Sequence, residues 1–288
     1  MIFLIISIIC SVTVSVLLKL ARRYKIGVIQ AVTWNYLFAA GLAWFFFKPN
    51  CEDLNLKNVS GIFLLLGVLL PIVFWFLAVS VRNIGIVKTD ISQRLSLLIP
   101  IIAAYFLFGD TFSALKIAGF IVGFTAIIFT LAKQSSKQPL IENWLYPIVV
   151  FVGFGLIDVL FKQVTQIKYL PYTTSLIMIF VISFIVSLGG IAYLRFVKME
   201  KIQLINFVCG CVLGFFNFFN ILFYLKAHSA MADNPSTVFT AMNLGVIIAG
   251  TLVGLLIFKE KLSRLNYVGL FLAGIAIVII TIAQVNAV

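Results

Sequence analysis

The chain has 288 residues, of which 63% are hydrophobic and 10% charged, with a mean hydropathy of +1.18 and a net charge of +12. Values so far from those of soluble domains exclude a water-soluble globule and leave a chain that lives in a bilayer. No basic face with interleaved aromatics accompanies the positive charge, so lysines and arginines at a membrane surface explain it and no nucleic-acid partner is expected.

A helix needs roughly 20 apolar residues to cross a hydrocarbon core about 30 Å thick. Ten such runs, bounded by polar clusters, fall at 2–20, 28–47, 59–81, 86–107, 114–132, 144–163, 172–194, 204–225, 235–257 and 265–285. They are too long and too continuously apolar for barrel strands, so the predicted fold class is all-α, a polytopic membrane protein of ten transmembrane helices.

In chain order, the first run is followed by the basic residues Lys19, Arg22, Arg23 and Lys25, which marks a retained helix and not a signal peptide. Its Ser7, Ser11, Ser15 and Lys19 recur at steps of four and should face protein. Among the aromatics of the second and third runs, Trp34 and Trp75 are candidates for a cavity wall, with belt placement at the interface the default for such residues.

The fourth run holds the densest set of ionisable groups, beginning Lys88-Thr-Asp90-Ile-Ser-Gln93-Arg94-Leu-Ser96 and followed by Pro100. Each charge near the centre of a membrane helix costs about 2.5–3.5 kcal/mol, and pairing of Asp90 with Arg94 at i, i+4 lowers that cost. One reading makes Arg94 the anchor for a carboxylate or phosphate, with Asp90 orienting it or carrying a coupling proton. The other makes the two an ion pair sealing the helix end. Pro100 frees a backbone carbonyl, as a gating element or as a packing kink.

Gly119-x-x-x-Gly123 in the fifth run and Gly269-x-x-x-Ala273 in the tenth allow close backbone approach. In the sixth run Asp158 and Lys162 stand at i, i+4, and snorkelling of Lys162 to the interface is the plain expectation. The eighth run places Asn217, Asn220 and Tyr224 on one face, and the ninth carries Thr240 and Asn243. Cys10, Cys51, Cys209 and Cys211 have no metal-ligand spacing and read as small packing residues, so neither metal nor cofactor is expected.

Two loops lie 150 positions apart, Leu107-Phe-Gly-Asp-Thr-Phe-Ser113 and Ile257-Phe-Lys-Glu-Lys-Leu-Ser263, and the same offset pairs Gly119 with Gly269, Asp90 with Thr240 and Gln93 with Asn243. Ser113 and Ser263 are candidate N-caps of the helices that follow. The polar stretch 133–143 splits the chain into repeats at 1–132 and 144–288. With five helices each, an odd number, the second copy enters the membrane inverted, and a site forms near the midplane between them. Its candidate residues are Arg94, Asp90, Gln93, Asn243, Thr240, Asn217, Asn220, Tyr224, Trp34 and Trp75, with Pro100 as a gating position.

On these loop and glycine patterns the chain resembles the drug/metabolite transporter superfamily, specifically its ten-helix EamA-type members, over essentially its whole length. The resemblance implies a bacterial inner-membrane carrier for small polar metabolites such as amino acids, nucleosides, sugars or drugs, working by alternating access without ATP. It also implies cytoplasmic termini, whereas most of the 21 lysines and arginines fall in the odd-numbered connections and put the termini outside. A flippase for a lipid or lipid-linked sugar is the alternative. No H-E-x-x-H, G-x-S-x-G or Walker A motif occurs, and an enzyme is not expected.

Overall fold

The computed structural model describes residues 2–24, 26–49, 60–84, 86–131, 145–257 and 263–285. Among them are eleven α-helices: α1 (Ile2–Arg23), α2 (Val28–Phe47), α3 (Gly61–Ile84), α4 (Ile86–Leu95), α5 (Leu98–Phe108), α6 (Ala114–Leu131), α7 (Leu145–Gln166), α8 (Tyr172–Phe196), α9 (Leu204–Ala230), α10 (Pro235–Leu256) and α11 (Arg264–Val285). Seven contain stretches long and apolar enough to cross a membrane, and three shorter apolar stretches bring the total to ten. The expected linker at 133–143 lies outside the described residues.

The eleventh helix arises because the fourth apolar run is broken. Pro100 has no N–H to give the carbonyl of Ser96, which instead accepts from Ile99 at 3.0 Å, while Leu97 N–H turns back to Arg94 at 3.3 Å. The chain therefore leaves the α-helical ladder at Ser96–Leu97 and resumes it as α5. Gly109 ends α5 with a left-handed φ of 66°, a conformation that glycine adopts without a Cβ penalty. That turn directs Asp110, whose N–H reaches back to the Ala104 carbonyl at 2.9 Å, into the protein. At the other expected boundary, α9 continues past 225 to Ala230, because Lys226, Ala227 and His228 favour or tolerate a helix and no breaker precedes Met231.

Both serine caps form: Ser113 Oγ accepts the Lys116 N–H and Ser263 Oγ the Asn266 N–H, each at 3.2 Å. Asn266 Oδ1 returns the bond to Ser263 N–H at 2.8 Å, a reciprocal capping arrangement. The two capped helices, α6 and α11, pack against one another. A Cβ on Gly119 would lie 2.5 Å from the Ile280 side chain, so only glycine permits that approach.

The remaining packing runs in matched pairs. Helix α9 packs on α1 and α2, and α3 packs on α7 and α8; α1 meets α10, and α7 meets α4 and α5; α2 also meets α8 directly. The α2–α9 contact is backbone-close, since a Cβ on Gly210 or Gly214 would stand 2.7 Å from the carbonyl oxygens of Ala31 and Asn35 respectively. Outward faces stay apolar, with Phe106 77% and Phe271 71% exposed, as a surface in contact with hydrocarbon requires. The serine stripe of α1 faces inward only in part, because Ser15 is exposed and bonds its own helix at the Ser11 carbonyl.

Candidate functional site

A cavity of about 140 Å³ lies at the broken fourth run, bounded by α1, α3, α4, α7, α9 and α10. From α4 it receives Gln93 and Arg94, and the Ser96 side chain at the break closes on the Gln93 carbonyl at 2.6 Å. Because the helix stops there, the last turn of α4 brings its two half-buried polar side chains to the cavity. Asp90 lies one turn earlier on α4, and its side chain is outside the described residues.

Helix α9 supplies Asn217, Asn220 and Tyr224, and α10 supplies Asn243. Most of these groups are oriented by neighbours. The Ser7 hydroxyl donates to Asn220, to its side-chain oxygen at 2.8 Å and its carbonyl at 2.9 Å. Asn243 Nδ2 donates to the Phe239 carbonyl of its own helix at 3.1 Å, and the Tyr224 hydroxyl donates to Asp158 Oδ1 at 3.0 Å. Three phenylalanines complete the wall: Phe74 lies edge-on to Phe154 at 6.2 Å, and Phe161 edge-on to Tyr224 at 6.4 Å. The cavity thus offers amides, a carboxylate and a guanidinium against aromatic faces, a set suited to holding a small polar molecule with an apolar part.

Three candidate residues lie elsewhere. Thr240 is buried in α10 and donates to the Ser236 carbonyl at 2.8 Å. Trp34 packs edge-on against Phe207 in a separate cleft between α2 and α9. Trp75 is half exposed in an apolar groove of about 370 Å³ between α2, α3 and α8. Pro100 is buried just beyond the break it causes.

Asp158 and Ser11 also line the cavity, and neither was among the sequence-derived site residues. A signal existed for Asp158, an acid inside an apolar run, yet its i, i+4 spacing to Lys162 read as a local pair. In the folded chain the two part company. Lys162 is 1% exposed and its ammonium donates to the Ala232 carbonyl at 2.8 Å and the His228 carbonyl at 3.5 Å. The expected snorkelling is therefore replaced by capping of the C-terminus of α9, where unpaired carbonyls favour a cation.

Asp110 is likewise drawn inward. It pairs with Lys116 and accepts from the Ser236 N–H at 3.0 Å and from the Ser236 hydroxyl, placing a carboxylate at the N-terminus of α10. Lys116 also reaches Asn234 Oδ1 at 3.4 Å, so the loop between α5 and α6 is clamped to the loop between α9 and α10. The equivalent loop at 258–262 lies outside the described residues.

Comparison with known proteins bears on what this architecture is for. A model of the EamA-like transporter family matches residues 1–132. An uncharacterized protein of Haemophilus influenzae is 41% identical over 278 residues, covering 93% of each chain. A solved crystal structure superimposes with a TM-score of 0.72 over 98% of this chain and 96% of that one; at 10% identity this is a likeness of fold. With the apolar helices and the broken fourth run, these matches make the chain a multi-pass membrane protein that belongs to the EamA-like transporter family of the drug/metabolite transporter superfamily.

Proposed function

We propose that the protein is a secondary carrier that moves a small polar metabolite across the bacterial inner membrane by alternating access, with the cavity between α4, α7, α9 and α10 as its substrate site. The observation that carries this reading is the cavity itself, to which both halves of the chain bring polar side chains that hydrocarbon would reject. Arg94 anchors a carboxylate or phosphate, Asp158 with Tyr224 holds a group of opposite character, and the amides of Asn217, Asn220 and Asn243 fix orientation. The halves, 1–132 and 144–288 joined by 133–143, act as inverted repeats. Support comes from the helix contacts: exchanging the halves maps α1–α9 onto α7–α3, α2–α9 onto α8–α3 and α1–α10 onto α7 with α4 and α5. The α6–α11 pair, locked by Gly119, is the scaffold about which they rock.

Proteoliposomes loaded with a mixed pool of amino acids, nucleosides, sugars and organic acids test the reading by mass spectrometry of what leaves. Loss of one class with wild-type protein, absent with Arg94→Ala, supports it. Absence of flux from well-folded protein counts against it and favours the lipid-flippase alternative. The apolar groove beside Trp75, large enough for part of an acyl chain, is the feature that speaks for the flippase, and a lipid-scrambling assay separates the two.

A further inference from the structure

One turn beyond the cavity, along both α7 and α9, lie two buried basic residues that the substrate site does not use. Lys162 follows Asp158 on α7, and His228 follows Tyr224 on α9. His228 is fully buried, packed against the ring of Tyr224 at 4.7 Å and that of Phe239 at 4.6 Å. Among the described residues, neither of its ring nitrogens has a hydrogen-bond partner. A neutral imidazole carries one donor and one acceptor, and leaving both unmet in a core opposes folding. A packing role alone would be served better by phenylalanine.

The charged groups around it make a second demand. From α7 come Lys162, whose ammonium is bonded to the His228 carbonyl, and Asp158, engaged with Tyr224. On its own helix, Lys226 points away, over the rings of Phe3 and Phe223. From α10 it meets Phe239, which is uncharged. Asp110 and Asp233 act on Lys162 electrostatically from the two loops beyond, and Asp110 is paired with Lys116. An imidazolium here would sit beside an ammonium with two donors and no acceptor. The closed arrangement has no place for that charge.

We propose that His228 is a proton-binding site of this carrier, and that a proton there releases the closure in which Lys162 caps α9 and Asp110 with Lys116 clamps the α9–α10 loop. The inference rests on the carrier reading, since the closure is one face of an alternating-access cycle. Its logic is linkage: a state that excludes the proton and an open state that hydrates the imidazole must be biased toward opening by acid, and opening must in turn promote proton uptake. Histidine suits the task because its ordinary titration falls in the physiological range. Protonation repels Lys162 from the carbonyls at the end of α9, the loop that holds Ala232 and Asn234 loses its support, and water reaches the ring. The proton then acts as an activator of the carrier, bound apart from the substrate.

His228 is the only histidine in the chain, so selective ¹⁵N-histidine labelling in lipid nanodiscs yields a single imidazole signal. The expected result is a neutral ring at about pH 8 and appearance of the doubly protonated form as the pH falls to about 5, since the proton enters only with opening. A ring that stays neutral throughout overturns the proposal. In proteoliposomes, exchange of whichever pool component moves should quicken roughly tenfold on acidification, a typical coupling magnitude. His228→Phe preserves the ring packing, and His228→Gln preserves hydrogen bonding without titration. Both should keep flux at pH 8 and lose the acid response. Retention of that response by either variant, or loss of flux at pH 8, refutes a proton role. If no pool component moves, the carrier reading fails, and the nanodisc titration still decides the proton site by itself.

Discussion

The buried clamp at Asp110 makes a quantitative test of the fold. Replacing Asp110 with alanine removes the partner of Lys116, which is only 3% exposed and whose remaining acceptors, the Thr111 carbonyl and Asn234 Oδ1, both stand at 3.4 Å. Breaking one side of a buried pair costs about 3–5 kcal/mol. The orphaned Ser236 N–H at the start of α10 adds about 1–3 kcal/mol, partly the same loss. A destabilisation of about 4 kcal/mol is expected, which corresponds to a fall of roughly 8–16 °C in the midpoint for a chain of this size class. Lys116→Met should cost less, about 2 kcal/mol, because the Asp110 carboxylate keeps both Ser236 donors and the N-terminal dipole of α10. Asp110→Ala with Lys116→Met should be more stable than Asp110→Ala alone, since the uncompensated ammonium is gone. Thermal unfolding in one detergent, read by size-exclusion fluorescence, gives all three values. A Lys116→Met variant as unstable as Asp110→Ala, or a double variant no better than the Asp110 single, would refute the reasoning that the stranded charge dominates.

Other outcomes follow from the same geometry. Gly210→Val should destabilise by about 1–3 kcal/mol or more, because its side chain meets the Ala31 carbonyl, a backbone atom unable to turn aside; an unchanged melting curve would mean that α2 and α9 are not so close. Ser113→Ala removes one N-cap bond and should cost about 1 kcal/mol, measurable as a small shift in the same assay. Tyr224→Phe deletes the hydroxyl bonded to Asp158 while keeping its edge contact with Phe161, so it should lower the midpoint by only about 2–4 °C, given a net hydrogen-bond contribution of about 1 kcal/mol, and alter flux. Equal flux at all substrate concentrations would remove Asp158 from the site.

The sequence alone determined the solvent and the ten apolar runs, and it marked Pro100 as a point where the fourth of them can kink. Each of these depends on local physics: a hydrocarbon core sets the length of an apolar run, and a proline removes a particular backbone bond. The serine caps were legible for the same reason, since cap and capped N–H lie three residues apart. The facing of helices was another matter. Membrane helices are apolar around most of their circumference, so no amphipathic stripe says which side meets protein and which meets lipid. Only packing turned Gln93, Arg94, Asn217, Asn220, Tyr224 and Asn243 toward one cavity while leaving Trp34, Trp75 and Thr240 outside it. Packing also separated Asp158 from Lys162, because the carbonyl end of α9, far along the chain, offered the ammonium a better partner than the acid one turn away. Long-range competition of that kind leaves no trace in residue spacing, and it decides where the charges of this protein act.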